Sequence, residues 1–502
     1  MTLPAWTDAL YASEEMRTVD AWAVERGGVP SEWLMERAGE GLARVVAAAA
    51  RPGPIRVVAG KGNNGGDGLV VARLLQRGGR DVRVLLVPPP EELEGDAAAN
   101  LHALPLETEP FAPERLEDVA VIVDAVLGTG VTGAPREPAA SVLAAIDAAS
   151  APVVAADVPS GVDASTGEVA GAAVHAIATA TFAAAKPGLW INPGKEHAGR
   201  VEVVDIGLPA GAPAGPVAGL IGASVLDLIP RRTQAGTKFT SGHVIVAGGS
   251  RGLTGAPTLS ALGAMRAGAG YVTVLVPGSE QPILAIKLTE AMSRALPDRA
   301  GHHVARGADA VVEATGRGGS LVLGPGIGRD PEAQEFARTA AARAEVALVL
   351  DADGLNAHAG ALESLAARGA PTVLTPHEGE LARLLDIEGD LVAASRLLRV
   401  REAAQRSQAI VVLKGDDTIV AAPDGTAVVN PLSAPMLATA GTGDVLGGVI
   451  GALLAKGMEP FEAASLGVLA HVRAGFAAAD RHGADHVIAG DVIDSLPDGI
   501  HS

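Results

Sequence analysis

The stretch PMLATAGTGDVLGGVIGALLAKG, residues 435–457, decides how the second half of this chain folds. Gly441, Gly443, Gly447 and Gly448 punctuate an apolar run, which predicts a tight turn opening a helix. The unpaired amides and positive potential of such a helix start suit an anion. Yet Asp444 stands in the same turn, and a carboxylate repels phosphate. An anion site that already contains an anion implies two jobs: one for the amides, another for the carboxylate.

Working outward, short β-branched runs alternate with Ala- and Leu-rich helical stretches along the whole chain, a pattern that predicts parallel sheets covered by helices. In the first half the expected strands are IRVVAG (55–60), DVRVLLV (81–87), VAVIVDAVLG (119–128), PVVAADVPSG (152–161) and VEVVDIG (201–207). In the second they are GHVIVAGG (242–249), YVTVLVP (271–277), SLVLGPG (320–326), ALVLDADG (347–354), PTVLTPHE (371–378) and AIVVLKGDD (409–417). The Pro-, Gly- and Ala-rich segment 208–219 suits a connector, which puts a boundary near Val217 and domains at 1–216 and 217–502. The fold class expected is α/β, in two three-layer domains. Strands in both halves end in Gly-, Asp- or Asn-rich turns, and open α/β sheets bind ligands beyond those carboxyl ends, so each half is expected to carry its own site.

The totals agree. A length of 502 residues exceeds one ordinary domain, and a hydrophobic fraction of 48% supplies ample core, although aromatics are only 2%. A net charge of −19 argues against nucleic acid or an anionic membrane as partner, while leaving room for a small anionic ligand held by backbone amides. Without cysteine there is no disulfide, thiolate metal site or cysteine nucleophile, which fits a reducing cytoplasm. The first residues lack the basic start and apolar core of a signal peptide. Mean hydropathy is +0.28, but the most suspicious run, 172–190, contains His175 and a Lys-Pro-Gly break, and reads better as a buried strand plus helix. The expectation is a soluble, cytoplasmic protein acting on small molecules. Oligomeric state is not legible; a homo-oligomer is compatible with the sequence.

In the first half, GKGNNGGDGLVVARLLQRGG (60–79) follows a strand and opens an amphipathic helix, which makes a cradle for a nucleotide or phosphate. Asp124 and Asp157 end two more strands. Each alone reads as a cap, but three polar turns on one sheet edge suggest a site. Asn64, Asp124 and Ser160 are hard oxygen donors of the kind a cation accepts, leaving Asp157 for proton transfer. GTGVTGA (128–134) is a second Gly-rich loop suited to phosphates.

LMERAG (34–39), GKGNNGGDGLVVAR, DAVLGTGVTG, VPSGVDASTG and KPGLWINPGKEHAGRVEVVDIGLP together resemble the NAD(P)H-hydrate epimerase domain, in order over nearly all of residues 10–210. The resemblance implies a Rossmann-like fold, with the hydrate contacted by Asn63, Asn64, Gly65, Gly66 and Asp67 and by Gly128, Thr129, Gly130, Val131, Thr132, Gly133 and Ala134. It places potassium on Asn64, Asp124 and Ser160, and makes Asp157 the acid/base. Lys61 departs from the small or proline residue expected there, which alters loop electrostatics. Lys186 also matches a family position, and reads equally as a surface lysine or as a partner for a phosphate or carbonyl.

In the second half, Gly255-Ala256 at a helix entry, GPGIG (324–328), DADGLN (351–356), TPHEGE (375–380) with His377, LKGDDT (413–418) with Lys414, and ATAGTGD fall at successive strand ends. Together they resemble the ribokinase-like superfamily, and within it the ADP-dependent NAD(P)H-hydrate dehydratase, over residues 225–498. That resemblance implies that Ala256, Gly326, His377 and Asp444 contact the hydrate. It puts Lys414, Gly415, Asp416, Asp417, Thr418 and Gly443 along the nucleotide, and Asp444 acts as base. ADP is then the co-substrate and magnesium accompanies it, with no protein ligands assigned. Two other functions compete: an ATP-dependent vitamin-precursor kinase on the same fold, and a first domain that serves only as a binding module.

Overall fold

The computed structural model describes residues 3–209, 211–232 and 234–501. The chain divides into two compact units: Ala9–Ala218 with Ala393–Arg396, and Pro4–Asp8 with Gly219–Val392 and the residues from Leu397 onward. The short N-terminal stretch therefore groups with the second unit, because Thr7–Leu10 adds an edge strand to that unit's sheet.

The first unit is built on seven parallel strands in the spatial order Thr108–Pro110, Val82–Leu86, Ile55–Ala59, Val121–Ala125, Val153–Ala156, Ala178–Phe182 and Arg200–Val204. Central strands such as VIVDA and ATATF are buried throughout, as parallel strands covered on both faces must be. Val57, Val123 and Leu42 pack on one face, Val58, Ile122 and Leu143 on the other. The expected helix directly after 178–182 is absent. Pro187 and Gly188 allow only a single 3-10 turn, Pro187–Leu189, before the short helix Gly194–Ala198.

The second unit is built on an eleven-stranded sheet in which the strands at 243–247, 271–277, 320–323, 347–350, 372–374 and 410–413 run parallel. Ile419–Ala421 and Ala427–Val429 continue it antiparallel, as a hairpin that the sequence reading missed. The connector's tail also becomes a strand, Ala218–Ile221.

Glycines set how closely the layers approach. Gly448, in the helix Thr442–Ala455, lies so near the helix Gly255–Arg266 that an added Cβ would come 2.0 Å from the Ser260 carbonyl oxygen. Backbone cannot retreat as a flexible side chain can. Gly448→Val is therefore expected to force these helices apart and cost about 1–3 kcal/mol. Circular-dichroism unfolding of the full chain should show a lowered midpoint for the second unit; an unchanged midpoint would mean the helices can separate freely.

Candidate active sites

In the first unit the carboxyl ends of the sheet's strands converge on a cavity of about 820 Å³. The Gly60 turn admits the helix Asn63–Arg77 at close range: a Cβ on Gly65 would stand 1.9 Å from the Gly60 carbonyl oxygen. Asn63, Asn64 and Asp67 line the cavity, whereas Gly65 and Gly66 pack behind it, Gly66 against the Met35 thioether. Gly128, Thr129, Gly130 and Val131 also line it. Thr132, Gly133 and Ala134 are exposed and do not, and Arg136 to Ala139 take their place in the wall.

Asp157 follows its strand with a left-handed φ of 63°, a conformation uncommon outside glycine, and this turns its carboxylate into the cavity. Lys186 is not a surface lysine. It is 1% exposed, and its Nζ donates to Asp157 Oδ1 (2.6 Å), Thr181 Oγ1 (3.0 Å) and the Phe182 carbonyl (2.7 Å). The same Asp157 oxygen accepts from Phe182 N and Thr181 Oγ1. Burial holds the Asp67 carboxyl well above the ordinary range; Asp157 adds to the rise and Lys186 opposes it. Asp20, on the helix Ser13–Glu25, joins the same wall and has no motif to betray it.

Beside this cluster Asp124 is fully buried. Its Oδ1 accepts the Ser160 hydroxyl at 2.6 Å and its Oδ2 the Ser160 amide at 2.8 Å. Burial nevertheless pushes its pKa up to about 6. Asn64 spends its amide nitrogen on the Leu127 carbonyl (2.8 Å), leaving Oδ1 buried without a hydrogen-bond partner. A buried carboxylate next to an unsatisfied amide oxygen is chemically suited to a cation.

In the second unit Lys414 ties the motifs together. Its Nζ lies 3.0 Å from Asp351 Oδ1 of DADGLN and 3.9 Å from Glu380 Oε2 of TPHEGE, and a Cβ on Gly443 would be 3.3 Å away. Asp353 reaches back to accept the Gly328 amide at 2.9 Å, which fixes the GPGIG loop. Gly326, with φ 68°, sits against Ala256: an added Cβ would come 3.4 Å from the Ala256 methyl. Glu380 is buried and accepts the His377 amide, so His377 caps the helix Glu378–Leu385 with its ring exposed. Asp416 accepts from the Ser433 hydroxyl and the Ala434 amide, holding the segment that leads into ATAGTGD. Asp417 and Thr418 are buried, and Thr418 Oγ1 donates to the Gly415 carbonyl. Motif reading reached all these turns but not the pairing of Lys414 with Asp351.

Gly441, at φ 92°, opens the helix Thr442–Ala455 and places Asp444 in its first turn. Burial, then Asp351, raise the Asp444 carboxyl to about 7; Lys414 pulls the other way, and Asp353 and Glu380 add to the rise. A carboxylate tuned near neutrality, next to a helix start, can take a proton beside a phosphate.

A proton-transfer cavity in one α/β unit and a carboxylate at an anion-binding helix start in the other define a two-site enzyme. Residues 244–498 match the family model described as NAD(P)H-hydrate dehydratase, and residues 31–188 match the YjeF-related protein N-terminus. The bifunctional NAD(P)H-hydrate repair enzyme Nnr of Moorella thermoacetica is 40% identical over 97% of this chain and 96% of its own length. That of Salinibacter ruber is 41% identical over 96% of this chain and 94% of its own. Among solved structures, the ADP/ATP-dependent NAD(P)H-hydrate dehydratase of Bacillus subtilis is 28% identical, covering 55% of this chain and 94% of that one, with a TM-score of 0.47. The chain belongs to the family of bifunctional NAD(P)H-hydrate repair enzymes, with an epimerase domain followed by a dehydratase domain. The vitamin-kinase alternative is not favoured.

With Asp444 as the base, a role proposed below, dehydration should fall about tenfold per pH unit below about 7. Lys414→Met removes the charge that favours ionisation, so the acid limb should move up by roughly one to three units. A pH profile of the variant with an unmoved limb would contradict this electrostatic assignment.

Proposed function

We propose that the first domain interconverts the R and S hydrates of NADH and NADPH at the cavity around Asp157, and that the second dehydrates the S form at the expense of ADP. In the second reaction the ring hydroxyl oxygen attacks the β-phosphorus of ADP while Asp444 takes the hydroxyl proton and AMP leaves. Phosphate then departs from the ring carbon, a proton leaves the neighbouring carbon, and the double bond of the reduced nicotinamide is restored. Phosphate is a far better leaving group than hydroxide, which is the use of the ADP.

The observation that carries this reading is the placing of Asp444: half-buried, raised to about 7, and set in the first turn of a helix. The carboxylate activates the hydroxyl, and the amides of 440–443 stabilise charge on the phosphoryl oxygens. Ala256, Gly326 and His377 surround the hydrate in this reading. Lys414, Gly415, Asp416, Asp417, Thr418 and Gly443 flank the nucleotide, with Lys414 reaching phosphate from its seat on Asp351. Magnesium would arrive on the ADP phosphates, with no protein ligand assigned to it.

In the first domain Asn64, Asp124 and Ser160 would hold potassium, and the buried Asp124 carboxylate with the unsatisfied Asn64 Oδ1 fits that ion. Potassium bound there would supply positive charge beside the hydrate's phosphates. Asp157, held by Lys186, serves as the acid/base at the ring hydroxyl. Joining both activities in one chain lets each S epimer consumed draw on the R pool.

Mixed NADH hydrates incubated with ADP test the whole reading through absorbance at the reduced-nicotinamide band. Wild type should recover all of it. Asp157→Ala should recover only the S portion, and Asp444→Asn none while still equilibrating the epimers. Loss of both activities in either folded variant would contradict separate sites.

A further inference from the structure

The first-domain cavity holds more titratable groups than one proton transfer uses. Met16, Asp20 and Val24, spaced four residues apart on one face of the helix Ser13–Glu25, line it together. Asp157, Phe182 and Lys186 line it from the strand ends, a different wall. Asp157 Oδ1 is committed to Lys186, Thr181 and the Phe182 amide. Asp20 remains accessible, and it feels Lys186 and Asp157 while Asp67 in turn feels it, so the four groups act on one space.

The chemistry demands two of them. The hydrate's hydroxyl sits on a ring carbon that is also bonded to the ring nitrogen. Inversion breaks that carbon–oxygen bond on one face of the ring and makes a new one on the other. One short carboxylate cannot protonate the oxygen leaving one face and also deprotonate the water arriving at the other. We propose that Asp20 is the second catalytic proton-transfer residue of the epimerase site, working across the cavity from Asp157, an assignment that rests on the epimerase reading of the same cavity.

In one direction Asp20 gives its proton to the departing hydroxyl, which leaves as water while the nitrogen lone pair forms a carbon–nitrogen double bond. A second water adds to the opposite face and yields its proton to Asp157, and that carbon–oxygen bond replaces the first. The proton count on the two carboxyls is restored by exchange with solvent, and the reverse reaction swaps their roles. Desolvation by the surrounding cavity wall is the largest effect on the Asp20 carboxyl and raises its pKa; Lys186 lowers it and Asp157 raises it, and the net rise suits a group that has a proton to give.

The test uses the full chain with purified R hydrate of NADH in oxygen-18 water, following epimer ratio by chromatography and label by mass spectrometry. Wild type should gain one solvent oxygen per inversion. Asp20→Asn should slow inversion by roughly 10²–10⁴-fold and abolish the alkaline limb of its pH profile, while dehydration of the S hydrate by the same preparation stays within about twofold. Asp20→Glu should restore part of the rate together with the limb. Inversion by Asp20→Asn within about threefold of wild type, a slowed variant that keeps its alkaline limb, or wild-type inversion without label would each overturn the proposal. Wild type that fails to invert the R hydrate above the spontaneous rate would instead remove the epimerase reading itself.

Discussion

The pairing of Lys414 with Asp351 is the contact on which the second unit's chemistry depends. Parallel strands end together, and here their turns bring Asp351, Asp353, Glu380 and Asp444 to one edge. Four carboxylates so close repel one another and resist burial. One ammonium among them offsets much of that cost; in the proposed reaction it would also face the negative charge of the nucleotide. The first unit solves the same problem with Lys186, buried against Asp157 and within reach of the fields of Asp20 and Asp67. Removing one member of such a buried pair costs about 3–5 kcal/mol in general, because the survivor is left uncompensated.

This explains the paradox of a carboxylate in an anion-binding turn. Asp444 is tolerated because burial and its acidic neighbours push its pKa to about 7, so near neutral pH it exists in both forms. The amides of the helix start and Lys414 supply the positive field. An ordinary exposed aspartate would be too weak a base; a fully buried one without Lys414 would stay protonated. Tuning lies between these limits.

Much of this was legible in the sequence because turns at strand ends need particular residues. Gly60 and Gly65, or Gly326 beside Ala256, announce backbone close approach, and the polar residues between Gly60 and Gly65 line the cavity. What was not legible came from long-range packing. The Lys-Pro-Gly after Ala178–Phe182 gave no sign that Lys186 folds back under Asp157. Asp20 lies in an unremarkable amphipathic helix, and only its position over the cavity distinguishes it. The hairpin Ile419–Val429 was hidden because its two three-residue strands are too short for an alternating pattern. The Gly128 loop looked uniform in sequence, yet only its first four residues reach the cavity.

The central claim is that Asp444 is a base poised near neutrality. Carbon-13 NMR titration of aspartate-labelled protein measures this directly, with Asp444→Asn identifying the resonance. The account predicts a midpoint near 7, well above an ordinary aspartate. A midpoint near 4, the value of a free carboxyl, would contradict it.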